Sequence, residues 1–201
     1  MNIIKYKGRD YPHFQAEGNA SQFAIPFAKH FCKGYGIDIG CNRQEWAFPG
    51  AIGVDLNFND GNDAYGFEYD DLDYIYSSHC LEHIDNYQAS IRDWFRVVKP
   101  GGFLIIAVPH YQLYEKSFFL PSRFNDDHKR LYHPGVILME LHNSLPIGEW
   151  RLRHCQENDL GFDYTLPVEV HSAGAYEIEV VIEKIAHYPY IDQMIAHAHN
   201  R

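Results

Sequence analysis

Apolar residues along this chain change their spacing several times, and each change marks an element. From Asn19, Phe23, Phe27 and Phe31 recur every four residues, on one face of a helix that Asn19 or Ser21 can cap, Pro26 restricts in its first turn and Gly34 ends. Residues 1–19, with Gly8, Pro12 and Gly18 among mixed charges, show no sustained period and read as an irregular arm. Short apolar runs then appear at 35–40, "YGIDIG", and 51–57, "AIGVDLN", so close together that only a turn and a short helix fit between two parallel strands. A third strand is expected over 72–78, "LDYIYSS", after a loop rich in Gly, Asn and Asp.

An amphipathic helix follows over 86–100, with Ile91, Trp94, Phe95 and Val98 on its apolar side and Pro100-Gly101 as its stop. The run "GGFLIIAVPH" at 101–110 is apolar almost throughout, as expected of a strand buried on both faces. A polar and aromatic insertion at about 111–133 reads as a lid, and a short helix over 133–144 comes after it. The segments "GEWRLRHCQE" and "AYEIEVVIEKI" alternate and suggest an antiparallel pair. In the second, Tyr176, Ile178, Val180 and Ile182 form one face and Glu177, Glu179 and Glu183 the other.

Strands alternating with helices predict an α/β domain: a Rossmann-like, doubly wound, mostly parallel sheet in a three-layer α/β/α arrangement, completed by a C-terminal antiparallel strand pair. The division is an N-terminal arm and helix, 1–33, packed on a single domain, 34–201. Ligands of such sheets sit beyond the carboxyl ends of the strands, which directs attention to Gly40, Asp55, Ser77 and His110.

Composition narrows the class. A chain of 201 residues suits one core and needs no disulfide staples. The cysteines, Cys32, Cys41, Cys80 and Cys155, are scattered without a CxxC pair, as expected of free thiols in the cytoplasm. No signal peptide opens the sequence, and the apolar run at 103–109 is too short to span a bilayer. A net charge of −10 repels phosphate backbones, so a small polar molecule is the expected substrate rather than nucleic acid or membrane. Monomer and homodimer stay equally open.

Gly40 permits close backbone approach at the first strand's end, and Asp55, at the second, is placed to accept both hydroxyls of a ribose. A pyrophosphate needs a glycine-rich turn, whereas this turn runs Gly40-Cys41-Asn42-Arg43-Gln44-Glu45, which disfavours NAD. Asp38 suits a cationic ligand. His110, with a near-neutral intrinsic pKa, is either a base or a structural hydrogen-bonder. A second cluster, Arg123, Asp126, Asp127, His128, Arg130 and His133, is either a solvated loop or a source of a base such as His128. Asp and His suit metals, but no spacing here is diagnostic, and no metal is expected.

The motifs "GIDIGC" at 36–41, "GVDL" at 53–56, "NDA" at 62–64, "DYIYSSHCLEHI" at 73–84 and "FRVVKPGGFLIIAVP" at 95–109 occur in order. In them the chain resembles the class I S-adenosylmethionine-dependent methyltransferases. The resemblance implies S-adenosyl-L-methionine as cofactor and S-adenosyl-L-homocysteine as product. It implies that Asp38, Gly40, Cys41 and Asn42 line the methionine end, Asp55 and Leu56 the ribose, Asp63 and Ala64 the adenine, and that Ser77, Ser78 and His79 lie beneath. The expected activity is methyl transfer, O-directed, to a saccharide or related metabolite. Asn42 stands where the family has a second glycine; a left-handed Asn42 preserves the turn, and any other conformation points to an inactive binding or regulatory subunit.

Overall fold

In the computed structural model, which describes residues 3–6, 9–56, 64 and 66–199, the apolar runs become strands of one sheet. In chain order the elements are β1 (Ile3–Tyr6), β2 (Arg9–Pro12), α1 (His13–Ala16), α2 (Ile25–Ala28), β3 (Gly36–Ile39), β4 (Ile52–Val54), β5 (Leu72–Ser78), α3 (Tyr87–Val97), β6 (Val98–Pro109), α4 (Pro134–Ser144), β7 (Trp150–Asn158), β8 (Glu177–Lys184) and α5 (Pro189–His199). The main sheet runs β4-β3-β5-β6-β8-β7. Its first four strands are parallel, and β8 is antiparallel to both β6 and β7. This is the expected Rossmann-like α/β architecture.

On one face Ile37, Ile75, Leu104, Ile106 and Val180 pack against Ile91 and Trp94 of α3 and Ile137 and Leu141 of α4. Asn86 caps α3, its Oδ1 accepting from the Ala89 N–H, and the helix gives way at Val98, two residues before Pro100, whose ring cannot continue it. On the other face Tyr74, Tyr76, Ile105, Ala107 and Val181 meet Ala24, Ile25, Ala28 and Phe48. This outer layer is thin: the crossover from β3 to β4 is a single turn, Gln44–Trp46, and the sheet there is covered by the N-terminal segment.

Two local expectations need correction. The helix from Asn19 is two single turns, Ala20–Phe23 and Ile25–Ala28, because Pro26 starts a new turn instead of extending the old one. The four-residue phenylalanine spacing still serves the sheet: Phe23 contacts Tyr176, Phe27 stacks on His154 and Phe31 meets Phe103. The irregular arm contains the β1–β2 hairpin, with strands too short to show a period. The glutamate-bearing face of β8, read from the alternation, is a covered one. The strand lies inside the sheet, Glu177 and Glu179 are buried, and Glu183 pairs with Arg153.

Candidate active site

The carboxyl ends of β3, β4 and β5 lie side by side, since Ile39 is in register with both Val54 and Ser77. The chain leaves β3 at Gly40, whose φ is 84° and whose N–H donates to the Val54 carbonyl at 2.8 Å. Asn42 adopts φ 64°, the left-handed conformation that a glycine would supply. Its N–H donates to Asp55 Oδ2 at 2.8 Å, so the β4 carboxylate holds the β3 turn. Gly40, Cys41, Asn42, Asp55 and Leu56 form one end of a cavity of about 740 Å3. The N-terminal arm supplies another wall through Gln15 and Asn19, and it is tied to the 171–174 loop by Gln15 Nε2 donating to the Ser172 and Gly174 carbonyls.

The opposite end is a cluster of imidazoles and carboxylates. His79, at the end of β5 with φ 52°, sets Nε2 3.0 Å from Glu177 Oε1 and Nδ1 3.7 Å from Glu82 Oε1. Burial opposes a charge on His79, but the hydrogen bond and charge of Glu177, with the charges of Glu82 and Glu115, outweigh it and raise its pKa. His83 goes the other way, burial lowering its pKa and the charges of His128 and His79 adding to the effect against the pull of Glu82. His128 sits with Nδ1 2.5 Å from Glu115 Oε1 and its ring stacked on Tyr114. The loop bearing it is clamped to the turn Leu81–His83: the Lys129 N–H donates to the Glu82 carbonyl at 2.8 Å, and Arg130 donates to the Leu81 and Ile84 carbonyls.

Of the residues expected from the sequence, Gly40, Cys41, Asn42, Asp55, Leu56, Ser78, His79 and His128 line this cavity. Asp63 lies outside the described residues. Four others are held elsewhere. Asp38 Oδ2 accepts the Phe48 N–H at 2.7 Å, so this carboxylate pins the β3–β4 crossover instead of reaching the cavity. Ser77 Oγ donates to the Ile39 carbonyl, and Ala64 is buried with its N–H on Asp93 Oδ2. His110 is buried between Glu157 Oε1, 3.2 Å from Nε2, and the Gln112 N–H, which donates to Nδ1. Both of its ring nitrogens thus face protein partners. Of Arg123, Asp126, Asp127, His128, Arg130 and His133, Asp127 and His128 line the cavity, joined by Asn125 and Lys129 of the same segment; His133 caps α4, its Nδ1 accepting from the Gly135 N–H. Cys41 is on the wall, but burial and the charges of Asp38 and Asp55 push its thiol up to about 12, which leaves it protonated.

Burial pushes the Asp38 carboxyl up to about 7, against the Phe48 hydrogen bond and with Asp55 adding to it. A folded-state pKa above the unfolded value means that the neutral acid stabilises the fold fully below about pH 4, and that this contribution is lost as pH rises through about 7. Asp38→Asn keeps an oxygen for the Phe48 N–H and removes the titration. Its stability relative to the natural protein should therefore improve from pH 5 to pH 8, by at most about 3 kcal/mol, in urea denaturation series. A difference that is flat with pH contradicts the assignment.

Sequence reasoning passed over Glu82, Glu115, Tyr114 and Glu177. For Glu82 a signal exists: His79, Glu82 and His83 are spaced i, i+3, i+4, which brings three metal-capable side chains near one another wherever the backbone coils. Glu115 and Glu177 carry none, because long-range folding alone brings them to His128 and His79.

A family model described as Methyltransferase domain matches residues 17–156. Among solved structures, a chain from a complex of the Haloferax volcanii Trm112 methyltransferase activator superposes with a TM-score of 0.61 at 12% identity, over 87% of this chain and 93% of that one. An S-adenosylmethionine-dependent methyltransferase from Archaeoglobus fulgidus gives 0.55 at 14% identity, over 84% and 94%. One from Mesorhizobium loti gives 0.51 at 17%, over 84% and 99%. No curated protein sequence matches the chain. Among the described residues, no helix is long and apolar enough to cross a membrane.

Proposed function

From the premise that this chain belongs to the methyltransferase domain family and is a methyltransferase, we propose that it transfers the methyl group of S-adenosyl-L-methionine to an oxygen of a small polar acceptor such as a saccharide. The observation that carries this reading is the Asn42–Asp55 hydrogen bond at the cavity wall. With Asn42 left-handed, the turn after β3 keeps the open form a cofactor's amino-acid end requires, and Asp55 stands where it can accept ribose hydroxyls. Asp38 is assigned a supporting role, holding the crossover behind the turn. The left-handed Asn42 also takes away the motive for an inactive binding subunit.

Carboxylates around the cavity favour a cofactor bearing a sulfonium and an ammonium. In the transfer, a lone pair on the acceptor oxygen forms the O–CH3 bond as the C–S bond breaks, and sulfur keeps that pair and leaves as the thioether of S-adenosyl-L-homocysteine. The hydroxyl proton passes to the Asp127 carboxylate on the cavity wall or to bulk solvent. Polar walls from Asn125 and Lys129 supply contacts to a polyol. The acceptor binding, not bond polarisation alone, sets the in-line geometry.

The test is incubation with methyl-labelled S-adenosylmethionine and a panel of sugars, nucleotide sugars and other polyols. Label should move to at least one of them, with one S-adenosylhomocysteine formed per methyl transferred. Transfer only to amine acceptors contradicts the oxygen assignment.

A further inference from the structure

Glu82 has no exposed surface, yet neither of its carboxylate oxygens receives a hydrogen bond. Instead Oε1 is surrounded beyond hydrogen-bonding distance by His79 Nδ1 at 3.7 Å, His83 Nε2 at 3.8 Å and His128 Nε2 at 4.0 Å. A buried carboxyl group left this way is costly, because neither oxygen recovers the hydrogen bonds it had in water.

The partners of the histidines sharpen the problem. His79 gives Nε2 to Glu177, and His128 gives Nδ1 to Glu115, itself held by the Ser122 hydroxyl. With the His128 proton on Nδ1 toward Glu115, Nε2 presents a lone pair toward the Glu82 carboxylate, and two acceptors face each other unless a cation stands between them. A carboxylate bonded to the far nitrogen of an imidazole is also the arrangement that orients and strengthens a histidine ligand.

We infer that Glu82, His83 and His128 form a divalent-cation site on the cavity wall, two imidazoles and one carboxylate with further positions open to the acceptor. One ligand atom from each residue lies within 4.8 Å of the others. Around an ion with bonds of about 2.1 Å such atoms stand about 3 to 3.5 Å apart, so binding draws the three side chains together by roughly 1 Å. A nitrogen-rich set of this kind favours Zn2+, Co2+ or Mn2+ over Ca2+ and Mg2+. The turn Leu81–His83 and the His128 loop are already fixed to each other through Lys129 and Arg130, so two of the three ligands are held in place before the ion arrives. The open positions would take hydroxyl oxygens of the acceptor; this last point rests on the methyl-transfer reading, whereas the ion site does not.

The test uses the untagged, metal-stripped full chain, titrated with CoCl2 by visible absorption and with ZnCl2 by calorimetry, without cofactor or acceptor. One ion per chain is expected, with cobalt bands that Zn2+ displaces. Glu82→Gln and His83→Ala should each weaken binding at least about tenfold, while Asp126→Asn, an exposed acid of the same loop, should leave it unchanged; thermal melts of each variant establish that it is folded. Absence of stoichiometric binding to the natural chain, or undiminished binding by folded Glu82→Gln and His83→Ala, overturns the site. S-adenosylhomocysteine binding by a chain that takes up neither ion would reject the cation site and leave the methyl-transfer reading standing, and the converse result would do the reverse.

Discussion

Asp55→Ala should lower affinity for S-adenosylhomocysteine by about a hundredfold or more, with little change in the melting temperature of the ligand-free protein. Asp55 is buried at the end of β4, and one of its oxygens already orders the Asn42 amide. Its removal takes away that bond and the acceptor for a ribose together. Two ribose hydroxyls donating to this charged carboxylate would contribute about 1.5 to 3 kcal/mol each, so losing both corresponds to about 3 to 6 kcal/mol, or two to four powers of ten in the dissociation constant. Stability should change less, because Ala leaves an apolar group beside an amide that can turn to the cavity's water. Affinity within threefold of the natural protein would mean that the ribose binds elsewhere.

The second large effect is steric. A Cβ on Gly40 would collide with the Cys80 Cβ and come 2.5 Å from its Sγ, and φ of 84° strains any side chain there. Gly40→Ala should therefore both destabilise the fold, by about 2 to 4 kcal/mol from overpacking and left-handed strain combined, and abolish measurable cofactor binding. Cys80→Gly in the same chain removes the collision but not the strain, so the double variant should recover part of the stability. If the single variant melts like the natural protein, the close passage of the first turn against the β5 end is wrong.

How far the sequence revealed this site depended on which force set each part. The sheet was legible because burial on both faces leaves a continuous apolar run, as in "FLIIAVP", and because Pro100 and Asn86 mark the limits of α3 locally. The turn at Gly40 was legible because its chemistry is local: a glycine, a left-handed Asn and a carboxylate fifteen positions on. The burial of Glu177 was not legible, for a physical reason. Alternation in a strand tells which residues share a face, but what covers that face is decided by the neighbours, here β6 and β7 on either side and the N-terminal segment above. His110 stands where a strand-end base belongs, yet Glu157 of the distant β7 closes over its ring. The same long-range folding brings Glu115 to His128 and makes a cluster of imidazoles and carboxylates that no linear spacing announces.

The central claim is that the cavity between the Gly40 turn and His128 holds an adenosine joined to a cationic amino acid. Calorimetric titration of the natural chain with S-adenosylmethionine, S-adenosylhomocysteine and NAD tests it most directly. Saturable binding of both sulfur ligands at one site per chain, with NAD bound at least about a hundredfold more weakly, is the predicted result. Failure to bind either sulfur ligand under conditions where the protein is folded would contradict it.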